Sequence, residues 1–84
     1  MTWRPALARS VVLRHDRVRG TDLLLLPERV VVLHGSAGGV LRLCDGSRAV
    51  DDIVTELGAR FSDAPVADEV PEFLRTLRKE GWLR

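Results

Sequence analysis

The sequence predicts an α+β fold in which a small antiparallel sheet precedes three short helices. Three observations predict it. β-Branched and leucine-rich runs, separated by turn residues, fill the chain up to Leu33. Apolar residues then recur at i, i+3, i+4 and i+7 in three stretches. These are Ala37, Val40, Leu41 and Cys44; Val50, Ile53, Val54 and Leu57; and Val70, Phe73, Leu74 and Leu77. Finally, Asp45-Gly46 hinges the first two stripes, which therefore read as a helix-turn-helix pair. With strands beside it, that pair makes a winged-helix-turn-helix-like arrangement, a three-stranded antiparallel sheet followed by three helices.

Met1 to Ser10 is an extended tail, with Trp3 or Leu7 packed against the rest. Val11-Val12-Leu13 opens a first strand that runs to about His15. Gly20 ends the following turn, where a positive φ is useful. Thr21 to Leu26 is the second strand, Pro27-Glu28 punctuates it, and Arg29 to Leu33 is the third. Tight links between them imply a meander.

Ser36 is the expected N-cap of the first helix, which reaches about Leu43 and is stopped by Asp45-Gly46. Gly38 and Gly39 each cost about 1 kcal/mol in a helix relative to Ala, so close approach to the sheet is expected there. The second helix starts at Ser47 or its neighbour and runs to about Phe61. Arg42, Asp51, Asp52 and Glu56 lie opposite the apolar stripes of the first two helices. Ser62-Asp63-Ala64-Pro65 is a loop. The third helix is expected to start with Asp68 as N-cap, placing Pro71 in the first turn, where its missing N–H does no harm. This is preferred to a start at Pro65, which would require Pro71 to kink the helix. Gly81 ends that helix, and Trp82-Leu83 returns to the core.

Residues 1–84 are expected to form one domain, near the size at which a single core only just suffices. A hydrophobic fraction of 45% marks a globular chain, and a net charge of +1 argues against strong general attraction to nucleic acid or anionic membrane. Met1 to Cys44 carries seven Arg against three acids, whereas Asp45 to Arg84 carries six bases against nine acids. The N-terminal half should thus attract acidic partners modestly. The lone Cys44 cannot form an internal disulfide, M-T-W-R-P-A lacks a signal-peptide core, and no apolar run spans a bilayer. A cytoplasmic protein is expected.

No catalytic constellation stands out, and a non-enzyme is expected. Cys44 lies on an apolar stripe, where a buried structural thiol is the better account than a nucleophile. His15 and His34 have no partner at metal-ligand spacing. Asp51-Asp52 and Asp68-Glu69 sit near helix starts, where the dipole favours negative charge. Gly35-Ser36-Ala37-Gly38-Gly39 lacks the Lys and spacing of a phosphate loop.

Two binding readings remain. A winged helix can place its third helix in a DNA major groove, but here Asp68, Glu69 and Glu72 lead that helix and would be repelled by phosphates. Arg75, Arg78 and Lys79 come late. The other reading uses a sheet edge, whose unpaired backbone groups can accept an extended peptide as another strand. If Arg29 to Leu33 is that edge, it carries one charge only to protect it, with apolar pockets expected between it and the third helix. The competing expectation is an edge closed by the N-terminal tail or by dimerisation. If Val31 turns its N–H outward, Val31→Pro would weaken peptide binding.

Five stretches carry a resemblance to a known family. They are R-P-A-L at Arg4 to Leu7, L-L-P-E-R-V-V-V-L at Leu25 to Leu33, V-L-R-L-C-D-G at Val40 to Gly46, D-D-I-V-T-E-L at Asp51 to Leu57, and V-P-E-F-L-R-T-L-R-K-E-G-W-L at Val70 to Leu83. Together they cover nearly the whole chain, which resembles PqqD, the peptide-binding family of pyrroloquinoline quinone biosynthesis. His34 stands where the family has Asn, and Gly38-Gly39 and Pro71 also depart from its pattern.

The resemblance implies a precursor-peptide recognition element of winged-helix-like fold. Such a protein binds the leader of the precursor peptide PqqA and presents it to PqqE, a radical S-adenosylmethionine enzyme that joins a Glu and a Tyr of the peptide. The cofactors then belong to PqqE, and this chain needs none. Related elements serve other peptide-modifying pathways, including mycofactocin formation. The resemblance also implies that the leader pairs with the third strand and leans on the third helix. By position this selects Arg29, Val30, Val31, Val32 and Leu33, with Val70, Phe73, Leu74, Leu77 and Arg78 across the groove.

Overall fold

A computed structural model describes residues 2–61 and 65–84, so most of the loop expected at Ser62 to Pro65 lies outside the described residues. Strands β1 (Val12–Asp16), β2 (Thr21–Leu25) and β3 (Val30–Leu33) form an antiparallel sheet in the order β1-β2-β3. Helices α1 (Ala37–Arg42), α2 (Val50–Arg60) and α3 (Val66–Lys79) follow. The expected element order therefore holds, with β2 in the centre of the meander.

Register decides what each face of the sheet does, because alternate side chains point to opposite faces. Leu24 at the centre of β2 is fully buried, and its partners Leu13 and Val31 pack against the same core. Asp22 and Leu33 share that helix-side face. The opposite face carries Val12, Leu23, Leu25, Val30 and Val32, of which Val12 and Val30 are more than half exposed. The first turn forms as the sequence suggests: Asp16 Oδ1 accepts hydrogen bonds from the amides of Val18 and Arg19, and Gly20 adopts φ +66°.

The helices correct several local expectations. Ser36 occupies the N-cap of α1 but its side chain makes no capping bond, and the helix ends at Arg42, three residues before Asp45. Leu43 and Cys44 instead tighten the end, donating to the carbonyls of Val40 and Leu41. Gly46 has φ +84° and its amide donates to the Pro5 carbonyl, so it shapes the link rather than capping the helix. Ser47 does not start α2. Its amide and hydroxyl both donate to Asp45, and Ala49 becomes the N-cap, its amide bonded to Asp52 Oδ2.

The third helix also starts earlier than expected. Pro65, not Asp68, precedes it, and Pro71 therefore lies inside the helix instead of in its first turn. Packing explains the extra turn. Val66 is buried together with Val70, Leu74 and Leu77, so the apolar stripe extends back by four residues and offsets the hydrogen bond that Pro71 cannot make. Its far end follows expectation. Gly81 takes φ +84°, its amide donates to the Arg78 carbonyl, and the Trp82 amide donates to Leu77.

Buried core side chains come from β2 and all three helices, with Leu24, Leu41, Ile53, Leu57 and Leu74 the most completely buried. Leu13 of β1 and Val31 and Leu33 of β3 pack against them. The N-terminal tail joins them through buried Pro5 and the partly buried Trp3 and Leu7. It pairs with the chain end, not with the sheet: Ala6 and Arg84 exchange backbone hydrogen bonds and the Ala8 amide donates to Trp82. Among the described residues, that leaves both outer strands of the sheet without a further strand beside them.

Candidate functional site

Two free edges exist, but they differ in chemistry. Strand β1 contains Arg14, His15 and Asp16, charged or polar groups of the kind that protect an edge from pairing. Strand β3 reads Val-Val-Val-Leu and has no charge. The hairpin that precedes it fixes which of its amides are available. The Leu26 amide donates to the Arg29 carbonyl across Pro27-Glu28, which makes Leu26 and Arg29 the first hydrogen-bonded pair. Antiparallel ladders alternate such pairs with pairs whose amides point away. Hence the amides of Val31 and Leu33 face β2, opposite Leu24 and Asp22, while those of Val30 and Val32 face outward. The conditional expectation for Val31 is corrected accordingly: its N–H belongs to the ladder.

Helix α3 forms the other wall, and its position relative to β3 is set at both ends. At the start of β3, the Arg29 guanidinium stacks over the Trp82 ring, 5.2 Å from its centroid. At the opposite end, His34, Gly35 and Ser36 face Glu69, Val70, Glu72, Phe73 and Thr76 across an open cleft of about 600 Å³. Ala37 and Val40 of α1 complete it. Val31 and Leu33 of β3, Phe73 of α3 and Trp82 beyond its end are half-buried and packed against the core.

Burial sorts the residues that the resemblance selected. Val30 and Val32 expose their side chains on the far face of the sheet, and their backbone amides point away from β2. Val31, Leu33 and Phe73 are half-buried and keep a free surface. Leu74 is fully buried and Leu77 nearly so, which places both in the core, not on the groove. Val70 is buried yet reaches the floor of the cleft. Arg29 and Arg78 are both held by tryptophans, Arg78 lying 4.4 Å from the Trp3 ring centroid.

Sequence reasoning missed the cleft itself. A signal was present, since Glu69, Glu72, Phe73 and Thr76 recur at i, i+3, i+4 and i+7 and form a second stripe beside the core stripe. The contributions of His34 and Val40 were not legible, because they depend on how α1 docks.

Other polar groups have structural partners. Asp22 pairs with His15, 2.8 Å away, and with Arg42. The hydrogen bond with His15, reinforced by the Arg42 charge, holds the Asp22 carboxyl below its usual range despite partial desolvation. This carboxylate lies where a Cβ on Gly38 would stand, so Gly38 approaches the sheet as expected, whereas Gly39 faces open space. Burial, with the nearby charge of Asp45, pushes the Cys44 thiol up to about 11, which suits a packing role. Among the described residues no group of three His, Cys, Asp or Glu is placed to hold a metal ion. None of the described helices is long and apolar enough to cross a membrane.

Comparison with known proteins agrees with this geometry. Residues 11–83 match the family model described as coenzyme PQQ synthesis protein D (PqqD). A "PqqA binding protein" from Xanthomonas oryzae pv. oryzae (strain KACC10331 / KXO85) is 44% identical, the match covering 96% of this chain and 90% of the relative. Another from Rhodopseudomonas palustris (strain BisB5) is 37% identical over 95% of this chain and 80% of that protein. Among solved structures, the PqqD truncation of Methylobacterium extorquens PqqCD, a stand-alone recognition element for ribosomally synthesized and post-translationally modified peptides, superposes with a TM-score of 0.73. It is 38% identical, with 95% of this chain and 87% of that chain covered. PqqD from Xanthomonas campestris gives a TM-score of 0.57 at 39% identity, with 94% and 90% covered.

Proposed function

The chain belongs to the coenzyme PQQ synthesis protein D family, and from that membership we propose that it binds the leader of the precursor peptide PqqA and presents it to the radical S-adenosylmethionine enzyme PqqE in pyrroloquinoline quinone biosynthesis. One observation carries the reading: β3 is an uncharged edge whose Val30 and Val32 amides point outward, and it leads into a cleft lined by Val40, Val70 and Phe73. An extended leader laid along that edge extends the sheet by a strand. Main-chain hydrogen bonds hold it, and Val31, Leu33 and Phe73 offer surface to its inward-facing side chains, which sets the register.

The protein then acts as a tether. It needs no cofactor and no catalytic group of its own, since its contribution is to raise the local concentration of the peptide's reactive segment at the enzyme. The encounter takes place in the cytoplasm. Names of the relatives support PqqA as the ligand, and the recognition-element structure from Methylobacterium extorquens supports the mode of action.

The test is a titration of isotopically labelled protein with the PqqA peptide from the same genome, followed through backbone amide shifts. Shifts concentrated in Val30 to Leu33 and on the groove side of α3 are expected. Absence of shifts with PqqA, together with salt-sensitive shifts on adding duplex DNA, would overturn the proposal.

A further inference from the structure

We propose that the cleft beyond the end of β3 is a specificity subsite that takes a lysine or arginine of the bound peptide beside an apolar anchor. The inference rests on the strand-addition reading and adds to it what the ligand must contain.

Strand pairing alone cannot hold a long leader. Strand β3 has four residues, so it guides roughly 13 Å of extended chain at about 3.3 Å per residue. A peptide following the edge past Leu33 runs directly along His34, Gly35 and Ser36, which form the near wall of the cleft. The 600 Å³ volume lies within the range of about 300–1,000 Å³ typical of ligand pockets. Val40, Val70 and Phe73 give it an apolar floor. Gly38, held close beneath Asp22, seats the α1 backbone that carries Ala37 and Val40.

Charge complementarity determines the second requirement. Of the residues lining the cleft, Glu69 and Glu72 carry full charges, both negative, and no lysine or arginine is among them. Both glutamates are exposed and neither takes part in the ion pairs found among the described residues. Three residues apart on a helix, they lie on one side of the cleft, where both can reach a single cation. An acidic peptide segment would be repelled from this position, whereas the four residues of β3 carry no charge and Arg29 at its start is positive.

The experiment uses the full chain, the PqqA leader from the same genome, and a copy of that leader with every Lys and Arg changed to Gln. Affinities are measured calorimetrically for the native protein and for the double variant Glu69→Gln/Glu72→Gln, with Glu80→Gln as a control that removes a charge outside the cleft. The double variant should bind the native leader about three- to tenfold more weakly, as expected for two exposed charge contacts. The difference should shrink with added salt. It should disappear for the Gln-substituted leader, and Glu80→Gln should bind as the native protein does. Equal affinity of the native protein and a folded double variant for the native leader would overturn the subsite. So would amide shifts confined to β3 with none from His34 to Val40, a result that leaves strand addition standing. A leader that fails to bind the native protein at all overturns both.

Discussion

Replacing Val32 and Val31 by proline, one at a time, separates the edge from the ladder. Both changes delete one amide donor from the same strand, but the two donors point in opposite directions. At Val32 the lost N–H faces outward, and proline is tolerated on an exposed edge position. Folding should therefore survive. A bound peptide, however, would leave one carbonyl unpaired against the edge, which costs about 1–2 kcal/mol, or roughly five- to thirtyfold in affinity. At Val31 the lost N–H opposes Leu24, which is fully buried, so the Leu24 carbonyl is stranded in the core. That costs about 1–3 kcal/mol of folding free energy before any steric clash is counted. For a chain of this size about 4–8 °C of Tm follow each kcal/mol, so Val31→Pro should melt roughly 4–24 °C lower. Circular dichroism gives the melting temperatures and calorimetry with the PqqA leader gives the affinities. A folded Val32→Pro with unchanged affinity would refute the edge as the binding element. A Val31→Pro as stable as the native protein would refute the assignment of inward and outward amides.

Three further outcomes are expected. Gly38→Ala should destabilise the fold because its Cβ meets the Asp22 side chain, whereas Gly39→Ala, with open space around it, should stabilise α1 by about 0.5–1 kcal/mol in urea denaturation. Leu74→Ala should cost about 2–5 kcal/mol of stability through a core cavity, while Phe73→Ala should lose proportionally more leader affinity than stability, which paired denaturation and calorimetry will separate. The Asp22 carboxyl is held below its ordinary value in the fold, so its contribution is present above the unfolded value near 3.8 and is lost as pH falls through the lower folded value. Stability measured from pH 6 down to about pH 2 should accordingly fall less steeply in Asp22→Asn than in the native protein.

Much of this was legible in the residues because it depends on local rules. Turn residues at Asp16 to Gly20 and at Pro27-Glu28 set the meander, and the apolar spacing from Ala37 onward set three helices in order. The uncharged valines made β3 suited to pairing if it proved to be an edge, and Gly81 marked the end of α3. Boundaries were less legible wherever packing competes with local preference. Pro71 suggested a start at Asp68, yet burial of Val66 draws the helix back past it. Ser36 and Ser47 have the right chemistry for capping, but the first makes no cap and the second is taken by Asp45.

Periodicity and turn chemistry act over a few residues, so the α+β class and the order of six elements were legible from the chain, whereas the position of β3 at the sheet edge came from the strand order. Tertiary structure alone decided which side chains are surface. Leu74 and Phe73 are neighbours with the same apolar character, and only the docking of α3 makes the first core and the second groove. Similarly, strand register decided that the amides of Val30 and Val32 point outward while that of Val31 faces β2. The cleft between His34 and Phe73 exists because α1 and α3 meet beyond the end of β3. Contacts between distant segments fix such features, and no spacing along the chain encodes them directly.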